Sequence, residues 1–189
     1  MTAPSDDHQN KSGHHQLFEH LVPDRQCGDC VACCKILEIS QPELTKAADV
    51  LCSHCKDGGC GIYENRPMVC RTWYCLWRRI DAMPDEARPD RANVVASIDR
   101  HDPPRSPFEK LYVVIRATKD ATDFEGSVAS QIIDMFVRDG SLPVWLSFGG
   151  NKILVHPSKP VVEAIVNNTA AAPGIFAEVQ EWRKRLRLG

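Results

Sequence analysis

The sequence predicts an α+β protein in which a small cysteine-rich metal-binding module packs beside an α+β portion with a short antiparallel sheet. Two observations point there. All nine cysteines of the 189 residues lie between Cys27 and Cys75, and none follows. Beyond them, apolar runs of strand length alternate with apolar residues at helical spacing. The expected division is a polar, disordered tail over residues 1–22, a cysteine module over 23–82 and an α+β portion over 83–189, the last two packed as one folded unit. A chain of this length suits one domain, or a domain with a small module attached.

The tail mixes Asp6, Asp7 and Lys11 with four histidines and has too little apolar surface to offset its ordering entropy. His8, His14 and His15 can bind metal, but the tail reading leaves them out of the site. Next, Ser40-Gln41-Pro42-Glu43 has the form of a capping box, and Leu44, Ala47, Ala48 and Leu51 recur at helical spacing. A short helix is expected there, carrying the chain between the two cysteine groups. Five prolines from Pro84 to Pro107 mark a connector, with a strand over Asn93 to Ile98.

Leu111 to Ile115 then reads as a buried strand. Val128, Ile132, Ile133, Phe136 and Val137 mark an amphipathic helix that Gly140 can end. Val144 to Phe148 and Lys152 to His156 flank Gly149-Gly150-Asn151 as a hairpin, because those glycines tolerate the positive φ of a tight turn. Ser158 can cap a helix holding Val161, Val162, Ile165 and Val166, and Ile175, Val179, Trp182 and Leu186 put one face on a last helix. No internal repeat is found.

The formal net charge of −2, from 23 basic and 25 acidic residues, creates no global field for nucleic acid or an anionic membrane. Residues 1–20 lack the apolar core of a secretory signal, and no stretch approaches the roughly 20 apolar residues of a membrane span. The chain therefore reads as soluble and cytoplasmic, a compartment in which thiols stay reduced. With an odd cysteine count and the adjacent pair Cys33-Cys34, metal ligation explains the pattern better than disulfides.

The candidate ligands are Cys27, Cys30, Cys33, Cys34, Cys52, Cys55, Cys60, Cys70 and Cys75. Cys27-x2-Cys30 and Cys52-x2-Cys55 each let neighbouring sulfurs face one ion, and thiolate suits Zn²⁺ or an iron–sulfur cluster rather than Ca²⁺ or Mg²⁺. Cys27-x2-Cys30-x2-Cys33 matches the first three ligands of a bacterial ferredoxin run, but Cys34 follows at once where that pattern has a longer spacer. Two tetrahedral zinc sites would use more of the thiols than one four-iron cluster, so both metals stay open, and stoichiometry leans towards more than one ion. His54 can also supply a nitrogen, although a surface role suits it better.

Together, Cys27-x2-Cys30-x2-Cys33-Cys34 and the later stretch Cys60-Gly61-Ile62-Tyr63-Glu64-Asn65-Arg66-Pro67-x2-Cys70-Arg71-x3-Cys75-x-Trp77 resemble the YkgJ family of cysteine-cluster proteins, described as zinc- or iron-chelating domains. The resemblance covers about residues 27 to 80. It implies metal binding through the matched thiols and, because Cys55 falls outside the family pattern, that Cys55 matters least.

Two further features admit alternatives. Arg66 and Arg71 either neutralise thiolate charge or hold their loop by bonding backbone carbonyls or Glu64. Tyr63, Trp73, Tyr74 and Trp77 beside Arg71, Arg78 and Arg79 either form a platform for single-stranded nucleic acid or supply core to a small module. Core is the default, and it makes Arg78 and Arg79 dispensable for folding. The basic run Arg183 to Arg187 suits the solvent face and dipole of a terminal helix. No acyl-transfer or phosphate motif is found. The reading is a metal-binding protein whose partners are zinc or iron ions, with no protein partner indicated. Its rivals are an iron–sulfur protein in electron transfer or redox sensing, and a zinc-stabilised adaptor.

Overall fold

The computed structural model describes residues 20–56 and 58–188, so most of the expected tail, with His8, His14 and His15, lies outside the described residues. The chain is mixed helix and sheet. It falls into two compact units, Met1–Arg91 and Ala92–Gly189. Among the described residues no helix is long and apolar enough to cross a membrane.

In the first unit, α1 (Ala32–Ile36) leads into a hairpin of β1 (Ile39–Gln41) and β2 (Leu44–Lys46). A second hairpin joins β3 (Cys55–Lys56) to β4 (Gly59–Cys60), and α2 (Met68–Thr72) follows. The helix expected through Leu44 and Leu51 is therefore absent. Pro42 and Glu43 form the two-residue link of a β-ribbon in which Gln41 faces Leu44 and Ile39 faces Lys46. That register buries Lys46, whose Nζ donates to the carbonyls of Lys35 at 3.0 Å, Ala47 at 2.8 Å and Leu37. Two of those acceptors lie at or beyond the last turn of α1, where carbonyls lack intrahelical donors. The apolar stripe that suggested a helix buries little, since Leu51 remains 51% exposed.

After α3 (Pro89–Ala92), the second unit is built on a four-stranded sheet of β5 (Val94–Asp99), β6 (Tyr112–Ala117), β7 (Val144–Phe148) and β8 (Asn151–His156), in that spatial order. The outer pairs are antiparallel, but β6 and β7 run parallel. A parallel pair needs a crossover, which α4 (Ser127–Asp139) supplies. Gly140 ends α4 in the left-handed region at φ 60°, and its N–H donates to Phe136 O at 3.1 Å. Gly149 and Gly150, both at positive φ, close the β7–β8 hairpin.

Two helices complete the unit, α5 (Lys159–Val166) and α6 (Phe176–Leu186). They bury Val161, Ala164, Ile165, Val179, Trp182 and Leu186 around Phe108 and against Trp145 and Leu154, which are cross-strand neighbours on one sheet face. Ser158 stands before α5 without a side-chain cap; its carbonyl accepts from Val161 and Val162, and Pro160 in the first turn preorganises the start. The same sheet face carries an ionic row beyond this core. Arg116 donates to Ser97 Oγ at 2.8 Å and Asp99 Oδ2 at 2.5 Å, and Lys152 Nζ donates to Tyr112 Oη at 2.7 Å.

His156 stacks edge-on against Trp182 at 5.3 Å, and its buried Nε2 has no hydrogen-bond partner. Burial holds its imidazole below the ordinary value; Glu178 opposes that shift and Arg185 adds to it. The unfolded state then binds the proton first, so stability is full above the ordinary value, about 6.5, and falls as pH drops through it, by at most about 1.4 kcal/mol per pH unit. Urea unfolding read from the Trp182 indole signal between about pH 8 and about pH 5 should show that decline. His156→Phe should flatten it, and an unchanged slope in that variant assigns the effect to another group.

Candidate metal centre

Short turns and hairpins, rather than long elements, position the nine cysteines. Cys27 and Cys30 sit in a tight turn with Gly28 at φ 55°, closed by Cys30 N–H donating to Cys27 O at 2.9 Å. Cys52 and Cys55 repeat that bond at 2.9 Å, and Gly61 N–H donates to His54 O at 2.8 Å, so His54 contributes its carbonyl to the fold. Cys33 and Cys34 lie on α1, and Cys52 N–H donates to Cys34 O at 3.0 Å. Cys55 faces Cys60 across the β3–β4 ribbon, and Cys70 lies on α2. All nine are free thiols.

The thiols fall into two groups. In the first, Cys27 and Cys30 lie within electrostatic reach of Cys75. The segments carrying them are tied together on either side. Val22 N–H donates to Arg78 O at 2.9 Å, and Arg25 donates to Trp77 O at 2.5 Å, Ile80 O at 2.8 Å and Met83 O. The Arg25 guanidinium also lies 5.1 Å from the Trp77 ring centre. Amide N–H groups of Ala32 and Asp90 point at the Cys30 sulfur, and those of Arg78 and Trp77 point at Cys75. Burial pushes Cys30 up and Cys75 up to about 11.

The second group gathers thiols from four segments. Cys34 is bonded through its side chain to both Cys33 and Cys55. Cys70 lies within reach of Cys34, Cys52 and Cys60. The bond to Cys33, then burial, pushes the Cys34 thiol far up, while burial and Cys34 push Cys55 up to about 12. Cys55 thus stands among the thiols rather than apart from them.

Cations border both groups. Lys46 faces Cys52, Cys34 and Cys33 in the second. Arg66 reaches both Cys27 in the first and Cys70 in the second; in the first, Arg79 reaches Cys75, and Arg88 reaches Cys30 while donating to Cys27 O at 3.3 Å. Arg66 Nε is buried without a hydrogen-bond partner; Arg88 Nε lies 3.0 Å from Asp90 Oδ1 but off the hydrogen-bonding angle. Arg71 instead holds its loop, donating to Arg66 O at 2.6 Å and Glu64 O at 3.3 Å.

Burial weighs against the expectation that Arg78 and Arg79 are dispensable. They are 9% and 7% exposed, and Arg79 donates to Tyr74 O at 3.4 Å and Thr72 O at 3.3 Å. Trp77 is buried as core, and Tyr74 lies beneath both guanidiniums. Sequence reasoning missed Arg25, Lys46 and Arg88. Only Arg25, two residues before Cys27, had a positional hint.

The donor set is all thiol and suits a soft cation, and the buried Arg66 nitrogen suits a nearby anionic thiolate. Even so, among the described residues no group of three or more histidine, cysteine, aspartate or glutamate side chains is arranged to hold a metal ion. No family model, curated protein or solved structure matches the chain.

Arg79→Ala removes buried charge-assisted bonds to carbonyls and is expected to cost about 2 kcal/mol. Arg78→Met should cost much less, because Arg78 Nε and Nη1 are already buried without partners. Chemical denaturation of the two variants measures the difference, and equal losses would show that Arg78 holds a bond of comparable strength.

Proposed function

We propose that this chain is a metal-binding protein of the YkgJ type, holding zinc or iron through its clustered thiolates. The observation that carries the reading is that thiols from separate turns, two short helices and a β-ribbon become neighbours of one another in a module that has little else to pack. Backbone N–H groups aimed at the Cys30 and Cys75 sulfurs support it, since such donors favour the thiolate a metal requires. Loading would release the thiol protons and rotate side chains about Cα–Cβ into ligating positions. Ligation energies on the order of 10 kcal/mol exceed that cost.

The adaptor alternative is weakened, because Arg78 and Arg79 are buried and Arg79 is bonded within the first unit, which leaves Arg71 as the exposed arginine of the expected platform. Zinc and iron–sulfur chemistry separate by colour: anaerobically purified zinc protein is colourless, and an iron–sulfur protein carries a brown, reducible chromophore.

Chelation of the purified protein is expected to remove hydrogen-exchange protection from residues 27–80 while the sheet of residues 94–156 keeps it. Retained protection after complete metal removal would show that the module folds without ligation. Among single variants, Cys55→Ser should lose as much metal by mass spectrometry as Cys60→Ser, because the two face each other across the ribbon. A Cys55→Ser protein with full metal content would return Cys55 to the marginal place that the family pattern implies.

A further inference from the structure

We propose that the hollow between the end of α5 and the outer stripe of α6 binds a small amphipathic anion, a carboxylate carried on an apolar body. The hollow lies wholly within the second unit and is independent of the metal-binding reading. It adjoins the basic run Arg183 to Arg187, which metal binding leaves unused. Its volume is about 370 Å³, within the roughly 300–1,000 Å³ of small-molecule sites. The apolar part of its lining runs from core to solvent. Val179 is 1% exposed, Ala171 and Leu188 are partly buried against the same core, and Phe176 is 54% exposed. That ring and its neighbours have apolar surface left to cover.

The charged part of the lining has one sign. Arg183 and Lys184 are its ionisable groups, while Thr169 and Gln180 are neutral. Among the described residues neither cation stands in an ion pair. Arg183 donates through Nη2 to Asn168 Oδ1 at 2.8 Å, which leaves its other nitrogens for a ligand. The rest of the basic run is placed differently. Arg185 donates to Glu181 Oε1 and Gly140 O and lies 5.5 Å from the Trp182 ring centre, and Arg187 lies past the helix at φ 55°.

The acids of the two helices are engaged elsewhere. Glu178, Glu181 and Arg185 recur at helical spacing on the stripe opposite Phe176, Gln180 and Arg183. Glu181 accepts from Arg185 at 2.9 Å, with Lys184 a weaker influence, and Glu178 acts on His156. Glu163 lies 3.8 Å from Lys159 Nζ. The carbonyls that end the helices are bonded by the chain itself: Ala164 O accepts from Thr169 N–H at 3.1 Å, and Arg183 O from Leu188 N–H at 2.9 Å. A carboxylate in the hollow therefore meets two cations and no competing acid, while its apolar body covers Val179, Leu188 and Phe176.

The test titrates octanoate into the full-length chain by calorimetry, with acetate as the probe of charge alone and octanol as the probe of the apolar body alone. About one equivalent of octanoate is expected, bound about tenfold more tightly than either fragment. Octanoate should also slow hydrogen exchange within residues 169–188. Lys184→Gln and Phe176→Ser each replace an exposed side chain and should each weaken octanoate about fivefold. Hydrogen exchange over residues 94–156 confirms that both variants are folded.

Octanol that binds as tightly as octanoate would overturn the role of the anion, and acetate that does so would overturn the role of the apolar body. Protection that appears outside residues 169–188, full affinity in either variant, or octanoate that fails to saturate would overturn the site. Metal content enters none of these readouts.

Discussion

The first unit is governed by the problem of crowding nine thiols together, five of which burial and neighbours push towards the protonated form. Burial disfavours the thiolates of Cys30, Cys34, Cys55, Cys70 and Cys75, and neighbouring thiols add to it, so Cys34, Cys55 and Cys75 are held far towards the protonated form. Order in this region therefore rests on groups that neutralise or anchor. Lys46 satisfies carbonyls at the end of α1 while facing three sulfurs. Arg88 does the same at Cys27 and Cys30, and Arg25 fastens the chain ahead of the first cysteine pair. Cation and carbonyl take the part that apolar packing plays elsewhere.

The second unit solves the ordinary problem. Its strands, its crossover helix and its two terminal helices each present an apolar face, and Phe108, Val161, Val179 and Trp182 meet in one core. The ionic row on the sheet stays wet enough to be tolerated, and its members are mutually bonded: Arg116 with Asp99, Lys152 with Tyr112. Burial raises Tyr112 to about 12, which keeps the phenol neutral as an acceptor for the ammonium.

Legibility in the sequence divided along the same line. Where periodic burial sets structure, as in α4, the β7–β8 hairpin and α6, the positions of Ile132, Gly150 and Trp182 could be read directly. The parallel pairing of β6 and β7 was not visible, since strand periodicity says nothing about which strand is a neighbour. The segment from Leu44 to Leu51 has helical spacing but no buried apolar stripe, and the hairpin found there buries the Lys46 ammonium among carbonyls instead. The cysteine spacing pointed to a cluster of thiols, and Cys33, Cys34 and Cys55 are neighbours. It could not show that Cys34 bonds to Cys55, nor that Arg25 ties the chain before Cys27 to the chain after Cys75, because those are contacts between distant segments.

Confining every sulfhydryl to the first unit has a consequence for damage. Sulfenic and sulfinic acids form on accessible cysteines, eight of these nine thiols are partly exposed, and a charged sulfinate would disrupt the thiol contacts made by Cys34 and Cys55. The unit from Ala92 to Gly189 contains no cysteine at all. An oxidant strong enough to dismantle one half of the molecule thus leaves the other half without a cysteine to attack, and injury by this route stops at the border between them.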